Sequence, residues 1–174
     1  MLTNSKIFLL TFVTSLVLAL ACSSGEAQKN AKGAPTAAGT PSSKFTAADV
    51  AKLKWIEGAW RGMDGDKPFY ERYRVEENAL VTETLKEDGS VNGEAERWEL
   101  KNGQLVKGEG VEGSAASEIT DTYIQFVPLV AGKGNNFRFV KQPHGWDAIL
   151  EWPATADKPA RQKVYKMEPW SPSK

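Results

Sequence analysis

The sequence predicts an all-β domain, an antiparallel up-and-down barrel of about eight or nine strands behind one short helix. Three observations predict it. From Trp55 onward apolar and polar residues alternate at the two-residue period of a half-buried strand. Turn formers interrupt the alternation at close intervals: Asp64-Gly65-Asp66, Glu77-Asn78, Asp88-Gly89, Asn102-Gly103 and Gly132-Lys133-Gly134-Asn135 all accept the backbone angles of tight hairpins. No helical period separates the segments. A long sheet of this kind closes on itself or splits into a sandwich, and short sequential turns favour closure.

The chain has 174 residues, with formal charge zero. Its N-terminus is a weakly basic start at Lys6 followed by a mostly apolar run from Ile7 to Ala21, ending in Leu18-Ala19-Leu20-Ala21 directly before Cys22. That run is shorter than the roughly 20 residues a spanning helix needs, and small residues terminate it, so residues 1–21 read as an export signal. The four residues before Cys22, the only cysteine in the chain, resemble the lipobox of bacterial lipoproteins, with Ala19 and Leu20 inverting the more usual order. The resemblance implies cleavage after Ala21 and lipidation of Cys22. It also implies a lipid-anchored protein of the cell envelope, and Ser23 after the cysteine points to the outer membrane, facing the periplasm. Several acyl chains, at about 0.8 kcal/mol per buried methylene, make a firm anchor.

Residues 22–44 are rich in Ser, Gly, Ala and Pro, carry no apolar period, and read as the lipidated cysteine and a flexible tether. The domain is expected over 45–170, with 171–174 as a tail. Phe45 to Leu53 opens it as a helix. Thr46 can cap, Asp49 stands near the positive end of the helix dipole, and Phe45, Val50 and Leu53 share a face suited to plugging one end of a barrel. Candidate strands then run over about 56–63, 68–77, 79–87, 92–100, 104–110, 121–128, 136–142, 146–152 and 161–168.

Gly58-Ala59-Trp60 on the first strand, after a short helix and before a meander, resembles the entry motif of the calycins, the lipocalin and fatty-acid-binding barrels. The longer string Leu53-Lys54-Trp55-Ile56-Glu57-Gly58-Ala59-Trp60-Arg61-Gly62, with Tyr70-Glu71-Arg72-Tyr73 after it, is similar to uncharacterised bacterial lipocalin-like domains and, more loosely, to nitrobindin-like barrels. The resemblance implies that Trp60 packs across a closed end, with Gly58 beside it and a basic residue, Arg161 or Lys163, covering the indole. It does not carry haem over: the single histidine, His144, lies beside Pro143 and Gly145 in a loop, so no cofactor is expected.

Strand parity indicates what faces inward. Phe69, Glu71, Tyr73 and Val75 share one side and Tyr70, Arg72, Arg74 and Glu76 the wetter other. Glu94, Glu96, Trp98 and Leu100 fall together, as do Tyr123, Gln125 and Val127, then Phe137 and Phe139, then Trp146, Ala148, Leu150 and Trp152. Trp60, Glu71, Tyr73, Thr84, Glu96, Trp98, Phe137, Phe139 and Trp146 are therefore the candidate lining of a pocket for a small hydrophobic or amphipathic ligand. The same residues suit a filled core in which Glu71 or Glu96 pairs with Arg161, Arg97 or Arg138, since buried charges persist only when paired. A filled barrel would instead place an interaction function in loops such as Gly110–Ser117 or Val130–Asn135.

Other chemistries find little support. No nucleophile elbow accompanies His144, and one histidine without a free thiol makes zinc improbable. Asp64 and Asp66 lack the spacing of a calcium loop, and 22 basic against 22 acidic residues give no electrostatic reason to expect nucleic acid. The expectation is a binding protein and not an enzyme.

Overall fold

The structure, a computed structural model, describes residues 44–172. The signal peptide and Cys22 lie outside the described residues. Ten antiparallel strands form the domain: β1 (Gly58–Asp64), β2 (Lys67–Glu76), β3 (Ala79–Leu85), β4 (Glu96–Lys101), β5 (Gln104–Lys107), β6 (Ser114–Ile119), β7 (Tyr123–Pro128), β8 (Asn136–Gln142), β9 (Gly145–Trp152) and β10 (Arg161–Pro169). Each pairs with its neighbours in sequence, and β1 pairs with β10 through Trp60↔Pro169 and Arg61↔Glu168, so the sheet closes. Closure satisfies the backbone groups an open edge would leave unpaired.

The expected eight or nine strands become ten because Ser114–Ile119, read as part of a loop, forms β6 against β5 and β7. Its small residues Ser114, Ala115, Ala116 and Ser117 carry weak strand propensity, and pairing with β7 overrides it. The register shifts between Ala116 and Glu118, a bulge that returns Ile119 to the core side.

The helix α1 (Ala47–Ala51) is shorter than its sequence signal and continues as a 3-10 turn over Lys52–Ile56. The Thr46 backbone N–H and hydroxyl both donate to the Asp49 carboxylate at 2.9 Å, and Lys52 Nζ donates to it at 2.7 Å. The Lys52 ammonium and the two Thr46 donors hold the Asp49 carboxyl down at about 2. Val50, Leu53 and Ile56 are fully or almost fully buried in the main core, which makes this segment the plug of one barrel end.

The turns at 77–78, 102–103, 120–122 and 143–144 share that end, and Phe45 N–H donates to Gly103 O at 2.7 Å beside them. The longer connections, 86–95, 108–113, 129–135 and 153–160, gather at the opposite end.

Gly58 has φ of 124°, a conformation that L side chains rarely adopt, but a Cβ there would meet nothing nearer than Trp60 Nε1 at 3.8 Å. Its requirement is conformational. The close approach falls on Gly62, where the Phe69 ring of β2 lies in the space a Cβ would occupy.

One apolar surface lies outside the tube. Tyr70 belongs to the face read as wet, yet Trp170 covers it with ring centroids 4.4 Å apart, and Trp170 N–H donates to Ala59 O at 2.9 Å. The segment after β10 is thereby tied down across β1 and β2.

Candidate functional site

Strand register divides the barrel interior into a filled lower part and an accessible upper one. Trp60 sits at the plugged end with its indole N–H donating to Ile56 O at 2.7 Å. Its ring meets Trp146 edge-on at 6.1 Å, and Trp146 meets Tyr73 at 5.2 Å and Phe139 at 4.7 Å. Phe139 passes the contact to Phe126 at 5.8 Å, which stacks on Phe137 at 4.5 Å and touches Trp98 at 5.2 Å. Edge-on and offset geometries of this kind add roughly 0.5–1.5 kcal/mol per pair beyond the area they bury. Trp60, Tyr73, Trp98, Phe126, Phe139 and Trp146 are all buried.

Above this column the inward residues change character. Phe69, Phe137 and Tyr165 pack on the core yet remain only half-buried, as does Leu150, the cross-strand partner of Phe137. They line the inner face of the sheet towards the end opposite the plug, a region termed the cup. Its wall carries ions: Glu71 on β2, Glu96 on β4, Lys107 on β5, and the pair Asp64 of β1 with Lys163 of β10 at 2.5 Å. Three cations lie over aromatic rings, Lys107 over Trp98 at 4.5 Å, Lys163 over Tyr165 at 4.8 Å and Arg161 over Trp152 at 4.3 Å.

The nine candidate lining residues therefore separate. Trp60, Tyr73, Trp98, Phe139 and Trp146 join the packed column, Phe137 reaches the cup floor, and Glu71 and Glu96 stand on its wall. Thr84 follows Glu71 across the β2–β3 register and is exposed at the rim.

Arg161 is not the cover of Trp60. It begins β10 opposite Trp152, whereas Trp60 pairs with Pro169 at that strand's other end, and the ring nearest Trp60 is Trp146. Lys163 is likewise near the mouth. The inward set on β7 is Ile124 and Phe126, both fully buried, instead of Tyr123, Gln125 and Val127. Gln125 needs polar partners and finds them in the carbonyls of Phe126 and Phe137, at 3.0 and 3.2 Å.

The carboxylates also pair differently from expectation. Arg97 and Arg138 take the outer surface, bonding Glu76 at 2.7 Å and Glu151 at 3.0 Å. Glu96 pairs with Lys107 at 2.5 Å. Glu71 has no cation within ion-pair distance among the described residues. It accepts one hydrogen bond, from the Tyr73 hydroxyl at 2.8 Å. Burial raises the Glu71 pKa, the Tyr73 bond opposes that rise, Glu96 adds to it and Lys107 offsets part of it. Burial, then the Glu71 charge, pushes the Tyr73 phenol up, so it remains a donor. Lys107, which completes this group, carried no sequence signal of its own; its parity with Leu105 on β5 was the available clue.

A consequence for stability follows from the direction of that shift. The folded chain retains a proton on Glu71 at pH values where the unfolded chain has released it, so the group's contribution is most favourable below about pH 4.5 and declines as pH rises through the folded value. Glu71→Gln, which keeps an acceptor for Tyr73, should raise the unfolding free energy at pH 7 by about 1 kcal/mol or more, and the gain should vanish near pH 3. Urea melts at the two pH values measure it.

The Nε1 atoms of Trp98 and Trp146 are buried without hydrogen-bond partners among the described residues. His144 is exposed in the two-residue turn between β8 and β9. No family model, curated protein or solved structure matches this chain.

Proposed function

We propose that this protein binds a small hydrophobic or amphipathic molecule, without covalent chemistry, in the cup at the end of its barrel opposite the plug. The observation that carries the proposal is the half-buried apolar floor of Phe69, Phe137, Leu150 and Tyr165 beneath a wall of charged groups. Accessible apolar surface inside a concavity, beside a few oriented polar groups, is the usual composition of a small-molecule site. The resemblance of the Leu53–Gly62 string to lipocalin-like domains supports the same reading. A lipidated Cys22 would hold the domain at the cell envelope, in the outer membrane and facing the periplasm.

The packed aromatic column moves the proposed pocket upward from the full barrel depth. A ligand would rest on Phe137 and Leu150, cross-strand partners on β8 and β9. Leu150→Lys should weaken binding at least tenfold, about 1.4 kcal/mol, while leaving the melting temperature within a few degrees. Natively purified wild-type protein examined by native mass spectrometry should carry a small molecule that the variant lacks. Identical spectra for two folded proteins, both without added mass, would remove the support for a pocket.

The competing reading is an interaction protein with a filled barrel, favoured by the exposed Val111, Leu129 and Val130 on the mouth connections. It expects no retained molecule.

A further inference from the structure

We infer that the cup selects a monocationic amphipath, an alkyl- or arylalkylammonium ion whose head pairs with Glu71 and whose apolar body lies on Phe69 and Phe137. The inference rests on the proposed small-molecule function and names the ligand class for the same site.

Glu71 decides the chemistry. It points inward between Phe69 and Tyr73, and among the described residues it makes no ion pair, whereas Asp64 has Lys163 and Glu96 has Lys107. The groups facing it are Tyr73 on its own strand, Glu96 from β4 and Lys107 from β5. With both carboxyls ionised, Glu71, Glu96 and Lys107 are one positive charge short of neutrality. Lys107 is paired with Glu96 and lies over the Trp98 face, and it makes no ion pair with Glu71.

A buried carboxylate is stabilised by a cation at hydrogen-bond distance, and an arriving ammonium would supply both charge and donors. Tyr73 Oη stays as the second donor to the same carboxyl. An aromatic floor favours the same ligand sign, since ring faces attract cations. Anions have a weaker claim. Lys67 of β2, Lys141 of β8 and Arg161 of β10 have inward parity, but all three are exposed at or beside a strand end, and Arg161 is stacked on Trp152.

The test is isothermal titration of the folded domain at pH 7 with three probes of equal length: octylammonium, octanol and octanoate. Octylammonium should bind at least roughly tenfold more tightly than either of the others, the scale of a desolvated charge pair. Glu71→Gln should remove that preference. In the wild type, the Glu71 side-chain carboxyl carbon resonance should shift on saturation with octylammonium and hold with octanol, a readout that needs no variant. Equal or tighter binding of octanol or octanoate, or a Glu71→Gln protein that still prefers octylammonium, overturns the cation inference and leaves the pocket standing. Absence of binding by all three overturns both.

Discussion

Trp146→Ala should lower the unfolding free energy by about 3–5 kcal/mol, the cost of removing a large aromatic from a core. Trp146 is 1% exposed and is the residue through which Trp60, Tyr73 and Phe139 meet. Truncation forfeits its burial and opens a void under the cup that the plug cannot refill, because Val50, Leu53 and Ile56 are already packed. For a domain with about 5–15 kcal/mol in total, that is a large fraction. Trp146→Phe should cost much less: it keeps a ring and removes an indole N–H that is buried without a partner. Urea denaturation of the three proteins gives the comparison. A loss below about 1 kcal/mol for the alanine variant would mean that the column is not the core.

Gly145→Ala should be as damaging although it adds one methyl group. A Cβ at Gly145 would run into the Met167 carbonyl oxygen, and φ there is 157°. The obstacle is backbone inside the β9–β10 ladder, where Trp146 pairs with Met167, so no side-chain rotation relieves it. The seam must shift or that part of the ladder must break. We expect about 3 kcal/mol or more, the range of severe overpacking. Gly65→Ala is the matched control. It too has positive φ, 61°, but nothing lies within 4 Å of its added methyl, so strain alone should cost about 1–2 kcal/mol. Equal melting temperatures for the two variants would refute the close approach.

The tube itself was legible because alternation and turn chemistry are local. Strands such as β2 and β9 lie within a residue or two of where parity and hairpin residues put them, and the Thr46–Asp49 cap begins the helix as its spacing predicts. β6 was hidden by its small polar residues, which acquire strand geometry only between β5 and β7. On β7 both faces carry apolar residues, so parity alone could not choose. The need of Gln125 for carbonyl partners decides it, and those partners are set by the β7–β8 register.

Site residues divide along the same line. That Glu71, Tyr73 and Trp98 share the interior follows from a two-residue period. Depth does not, because it depends on which strand end is plugged: Trp60 and Arg161 have compatible parity yet occupy opposite ends. Pairing of charges was equally out of reach. Glu96 finds Lys107 instead of an arginine because Arg97 and Arg138 fall on the outer face, a consequence of register between strands.

The most direct measurement is a nitrogen–proton correlation spectrum of the domain during titration with octylammonium, followed at the tryptophan indoles and the cup amides. Shifts should gather at Phe69, Glu71, Lys107, Phe137 and Leu150, with the Trp60 and Trp146 indole signals unmoved beneath a packed column. Shifts at Trp60 and Trp146 with the cup amides silent would contradict a filled base with a binding cup above it.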